Sequence, residues 1–158
     1  MDSTQKQEFT RRISNSNRSE IIVVIYDIFF AYAQEAEDYY QQKDYESFKT
    51  ALRRAEAAVC QLRDALDFHY PVAKDLYRLY QFSLEQIAAC FYKNDVEGIS
   101  TAKKILNGLY TGFVEVAKQD NSEPLMKHTQ QVVAGMTYQR GNLTETFQVS
   151  DTSRGFFA

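Results

Sequence analysis

The stretch SEIIVVIYDIFFAYA, Ser19 to Ala33, decides how the chain is read. From Ile21 to Ala33 every position is apolar or aromatic except Asp27. A helix packed on one side needs only one apolar stripe, with polar residues opposite. This segment carries two: Ile22, Ile25, Phe29, Tyr32, Ala36 and Tyr39 step by three and four, and so do Ile21, Val24, Ile28 and Ala31. It must therefore bury two of its sides. A bilayer is not the partner, because a spanning helix needs ~20 consecutive apolar residues and this run is shorter, with Asp27 at its centre. The polar residues before it, and its continuation into QEAEDYYQQ, do not fit a secretory signal. A cytoplasmic protein without membrane insertion is expected.

Working outward, Asn17 and Glu20 have the spacing of a capping box and predict the start of this first long helix. Lys43-Asp44 breaks the pattern, and Asp44 can cap the next helix. There Tyr45, Phe48, Leu52, Ala55, Val59, Leu62 and Leu66 alternate steps of three and four, the seam of a bundle. Pro71 disfavours helical geometry in the residue before it and opens a third helix without loss of a needed amide. Its stripe is Ala73, Leu76, Tyr80, Leu84, Ile87 and Phe91. Asp95 can cap a fourth, with Ile99, Ala102, Leu106, Leu109, Phe113 and Val116 on one face. Short connections make successive helices antiparallel. The fold expected is all-α: an antiparallel four-helix bundle over 17–121, with a flexible N-terminal arm at 1–16. Residues 122–158 are expected to form a short fifth helix starting at Pro124 and a mobile C-terminal arm.

The chain has 158 residues, two prolines, six glycines and a net charge of −3. That suits one domain of long helices, and the scattered basic residues disfavour a nucleic-acid surface. Cys60 and Cys90 stand far apart, as free thiols in a reducing compartment would. Eleven Tyr and eleven Phe make a heavy aromatic load, which serves cores and binding surfaces alike.

Reactive chemistry is hard to find. His69 precedes a proline and His128 lies near the C-terminus, and no H-x-x-x-H, C-x-x-C or E-x-x-H spacing occurs. No metal, no cofactor and no enzymatic activity are expected. Asp27 is expected at the helix surface or bonded to a tyrosine hydroxyl across the bundle. What the sequence has in surplus is apolar surface. Ala51, Ala58 and Ala65 lie beside the second helix's seam, and Gly108 and Gly112 lie at helical spacing on the fourth. Such small residues serve either tight packing or the floor of a groove for a partner helix.

The landmarks resemble the FliS family of flagellin export chaperones. That family opens its first helix with Pro-x-Glu-Leu and an apolar run ending Leu-Tyr-Asp, and Arg18, Ser19, Glu20, Ile21 and then Ile25, Tyr26, Asp27 are similar. Val59, Leu62 and Leu66 match its second helix, Leu79, Tyr80, Gln81 and Phe82 its Leu-Tyr-x-Tyr, and Leu106, Leu109 and Phe113 its fourth helix. The family's opening proline is Arg18 here, the small residue after Tyr-Asp is Ile28, and the late tryptophan is Phe113. The resemblance covers about 13–118. It implies a cytoplasmic chaperone that binds the disordered C-terminal segment of flagellin, prevents premature polymerisation and aids delivery to the export gate, with a co-chaperone as a further partner. It implies no cofactor.

The binding groove is expected between the second and fourth helices, floored by Ala51, Ala58, Ala65, Gly108 and Gly112, with Leu109 and Tyr110 alongside. By the resemblance, the N-terminal arm covers the empty site through Phe9 and Ile13, and Phe156-Phe157 can do the same. The alternative reading is a helical adaptor that binds another partner or self-associates.

Overall fold

A computed structural model describes residues 1–126 of the chain. Among them it contains α1 (Ser3–Ser14), α2 (Arg18–Gln41), α3 (Tyr45–Asp64), α4 (Val72–Lys93) and α5 (Glu97–Gln119), and no strand. Met1–Leu125 forms one compact unit. The short helix expected from Pro124, the C-terminal arm, His128 and Phe156-Phe157 lie outside the described residues, apart from the non-helical 121–126.

Helix boundaries follow from side-chain chemistry. The Asn17 side chain accepts the Glu20 amide at 2.9 Å, and the Glu20 carboxylate accepts the Asn17 amide at 2.8 Å. Such a cap contributes about 1 kcal/mol. The Asn17 amide group also donates to the carbonyls of Asp120 and Ser122, at 3.1 and 3.2 Å, and so ties the start of α2 to the end of α5. Lys43 has a φ of 60°, which turns the chain between α2 and α3, and Asp44 then caps α3 by accepting the Ser47 amide at 3.2 Å. Asn94 ends α4 with a left-handed φ of 55°, a conformation that Asn tolerates better than most residues. Asp95 is not the N-cap of α5: Val96 holds that position, and the Asp95 carboxylate accepts the Glu97 amide at 3.2 Å instead.

The bundle is a ring. α2 packs against α3 and α5, and α4 packs against the same two helices from the far side. Glu37 meets Lys103, Asp27 meets Tyr110 and Ser19 meets Asp120, so α2 and α5 run antiparallel. The seam read on α3 is the core: Phe48, Leu52, Ala55, Val59 and Leu62 are all buried. α4 and α5 approach closely at Gly98, where an added Cβ would stand 2.0 Å from the Gln86 carbonyl oxygen.

One expectation is corrected. Residues 1–16 are not an unstructured arm, because Ser3–Ser14 is helical. Its start is a capping box, in which Asp2 accepts the Gln5 amide at 2.7 Å and Gln5 returns the bond at 3.3 Å. The large apolar residues are too few to show a period, and tertiary contact supplies what periodicity does not. α1 packs on α2 in the opposite direction, with the Met1 ammonium at Glu35 and Arg12 at Asp27. Val24 stands outside the core cluster yet is only 2 % exposed. α1 thus accounts for the burial of Val24, whereas Ile21 and Ile28 of the same stripe pack against the core of the bundle.

Candidate functional site

Asp27 sits where α1, α2 and α5 meet. Its carboxylate accepts the Tyr110 hydroxyl at 2.8 Å and the Arg12 guanidinium at 2.6 Å. The bond expected to a tyrosine across the bundle is present, and a cation from α1 joins it. Burial first, and the Asp27 carboxylate second, hold the Tyr110 hydroxyl protonated above the ordinary phenol range. Both oxygens of Asp27 are thereby engaged in holding three helices together. His69 is exposed in the α3–α4 turn and bonds Asp67 at 2.6 Å. Burial pushes the thiols of Cys60 and Cys90 up, away from the thiolate that would be reactive. Among the described residues no group of three His, Cys, Asp or Glu could hold a metal ion. No described helix is long and apolar enough to cross a membrane.

The structure does not bring the expected groove residues together. α3 and α5 lie diagonally across the ring, so no groove runs between them. Ala51 and Ala58 are inside the core at 2 % and 4 % exposure. With Ala55 of α3, and Ala33 and Ala36 of α2, they are the small buried residues of a close helix pair. Ala65 is exposed just beyond the end of α3. On α5 the picture differs: Gly108 and Gly112 are exposed, and Leu109 and Tyr110 are half-buried beside them. A Cβ added to either glycine would meet nothing within 4 Å.

What α5 faces there is α4. At ~100° per residue, Val72, Leu79 and Phe82 fall within about 40° of Gln86, whose backbone meets Gly98. By the same count Ile105, Gly112 and Val116 lie within about 40° of Gly98 on α5. Leu79 and Phe82 are nevertheless 37 % and 45 % exposed, and Val116 is 55 % exposed. Leu79 and Phe82 of α4 and Val116 of α5 thus leave an uncovered apolar strip along the α4–α5 seam, with the open Gly112 on the same flank of α5. On its α5 side Gly112 was legible in the sequence, whereas Gly108 lies about 80° from Gly98 and off that flank. Its α4 half was signalled by the spacing of Val72, Leu79 and Phe82 beside the core stripe, and went unassigned.

Phe9 and Ile13, the residues expected to cover the site, are half-buried on α1. They sit on the helix that packs on α2, away from the α4–α5 seam.

A family model described as flagellar protein FliS matches residues 1–120, a range that takes in all five helices. No curated protein matches the chain significantly.

Proposed function

The chain belongs to the FliS family of flagellar proteins, and from that membership we propose that it is a cytoplasmic export chaperone for flagellin. It binds the disordered C-terminal segment of the newly made subunit, prevents premature polymerisation and aids delivery to the export apparatus. The observation that supports the placement is the uncovered flank of α4, where Leu79 and Phe82 are 37 % and 45 % exposed, beside an α5 whose Gly108 and Gly112 are open. A disordered segment loses chain entropy when it orders, so it needs apolar area to bind, and an amphipathic helix laid in a groove supplies that area. The glycines let its backbone come close. α1 is the second part of the reading: a cover over Val24, held by Arg12 on Asp27. No cofactor enters.

Calorimetric titration with the C-terminal flagellin segment from the same genome tests this. One-to-one binding with a negative heat-capacity change is expected, the mark of apolar burial. Gly112→Leu should keep the fold, since the space above Gly112 is empty, and weaken binding roughly tenfold or more. Binding that Gly112→Leu leaves unchanged would remove the groove. Absence of binding by the folded protein would remove the chaperone reading and leave the adaptor or self-association.

A further inference from the structure

A second cleft lies away from the α4–α5 groove. α1 and α5 form two ridges on the outer side of α2, and between them is a cavity of about 400 Å³. Its floor is aliphatic: Val23 and Val24 of α2 with Val114 and Ala117 of α5. The bridge from Arg12 through Asp27 to Tyr110 spans from ridge to ridge at the next turn. The cleft is therefore short, with room for about one helical turn of a partner.

Charge distinguishes this cleft from the open groove. Three cations line it, Arg11 and Arg12 on one ridge and Lys118 on the other. Among the described residues the single anion lining it, Glu20, is committed to the Asn17 amide at 2.8 Å. Arg12 is held by Asp27, whereas among the described residues Arg11 and Lys118 pair with exposed partners one turn away on their own helices, Glu8 at 2.7 Å and Glu115 at 3.8 Å. Exposed pairs of this kind are weak and exchange readily for an incoming carboxylate. An apolar floor between two positive rims complements a segment with aliphatic residues on one face and carboxylates at both edges.

We propose that this cleft is a second docking site, taking a short acidic amphipathic segment of another protein while the α4–α5 groove holds the client. The cleft shares no residue with the α4–α5 groove, and it rests on that placement of the client and on α1 staying docked on α2.

The test uses the full chain and two labelled peptides of one amphipathic pattern, leucine with glutamate and leucine with lysine, followed by fluorescence anisotropy. The acidic peptide should bind and the basic one should not, and added salt should weaken the complex. Arg11→Glu with Lys118→Glu should weaken acidic-peptide binding roughly tenfold or more and leave flagellin-segment binding unchanged. Both side chains are largely exposed, 66 % and 69 %, so the bundle should tolerate the reversal. The neutral pair Arg11→Gln with Lys118→Gln should give an intermediate loss. No binding of the acidic peptide, equal binding of the basic one, or affinity unmoved by either pair of substitutions would overturn the proposal. Loss of flagellin binding alone would count against the groove and not against this cleft.

Discussion

At the scale of single residues, the glycines of α5 differ by position. A Cβ on Gly98 would stand 2.0 Å from the Gln86 carbonyl oxygen and 2.9 Å from the Cys90 sulfur. A backbone oxygen cannot swing aside as a side chain can, so α4 and α5 would have to part. Gly98→Ala is expected to destabilise the bundle by about 1–3 kcal/mol, as overpacked cores do. Gly108→Ala should do the opposite: nothing stands within 4 Å, and helical propensity favours Ala by up to ~1 kcal/mol. Urea midpoints of the two variants should move in opposite directions, and a shared direction would refute the distinction. The sequence presents the two as equivalent, and only the position of the neighbouring helix separates a packing glycine from a groove glycine. The alanines of α3 carry the same ambiguity. Ala51 and Ala58 read as a groove floor but belong to the core, because one period serves both faces of a narrow stripe.

At the scale of elements, boundaries were largely legible because capping is local. Asn17 with Glu20, and Asp44 alone, mark helix starts that the structure has. α1 was missed although Asp2 and Gln5 carry the same signature, because Phe9 and Ile13 alone show no period. What holds α1 is tertiary: a helix of 12 residues is marginal by itself, and its contacts are with α2 around Val24 and through the Arg12 link. The Arg12 and Asp27 side chains are 35 % and 22 % exposed, so solvent screens the pair and its contribution is about 0–1 kcal/mol. Arg12→Ala should therefore speed amide exchange in α1 by up to about fivefold and leave α2 to α5 unchanged. Unaltered α1 exchange would show that packing over Val24 holds the helix without the ion pair. Acceleration throughout the bundle would make α1 a structural part of it and not a cover.

At the scale of the whole molecule, apolar side chains can stay uncovered on α4 only if the core beneath is closed, and an aromatic layer closes it. The Tyr26 and Tyr80 hydroxyls bond at 2.6 Å and join α2 to α4 across the ring. The Tyr26 ring also lies 5.9 Å from that of Tyr110 and 5.5 Å from that of Phe113, both on α5. Tyr26 and Tyr80 are 0 % and 1 % exposed, and burial first of all pushes both phenols above their ordinary value. The sign follows from which state loses the proton. Below pH 10.0, the ordinary value, folded and unfolded chains both hold these protons and stability does not depend on them. Above it the unfolded chain releases them while the folded chain keeps them, so stability falls as pH rises, by about 1.4 kcal/mol per unit for each phenol. Urea unfolding from neutral to strongly alkaline pH should show that decline begin near the ordinary phenol value. Tyr26→Phe with Tyr80→Phe keeps the rings and removes both protons, so the decline should flatten even though the variant loses a buried hydrogen bond. An equally steep decline in the double variant would place the alkaline weakness outside this layer. A flattened one would show that the closure of the core rests on two uncharged hydroxyls.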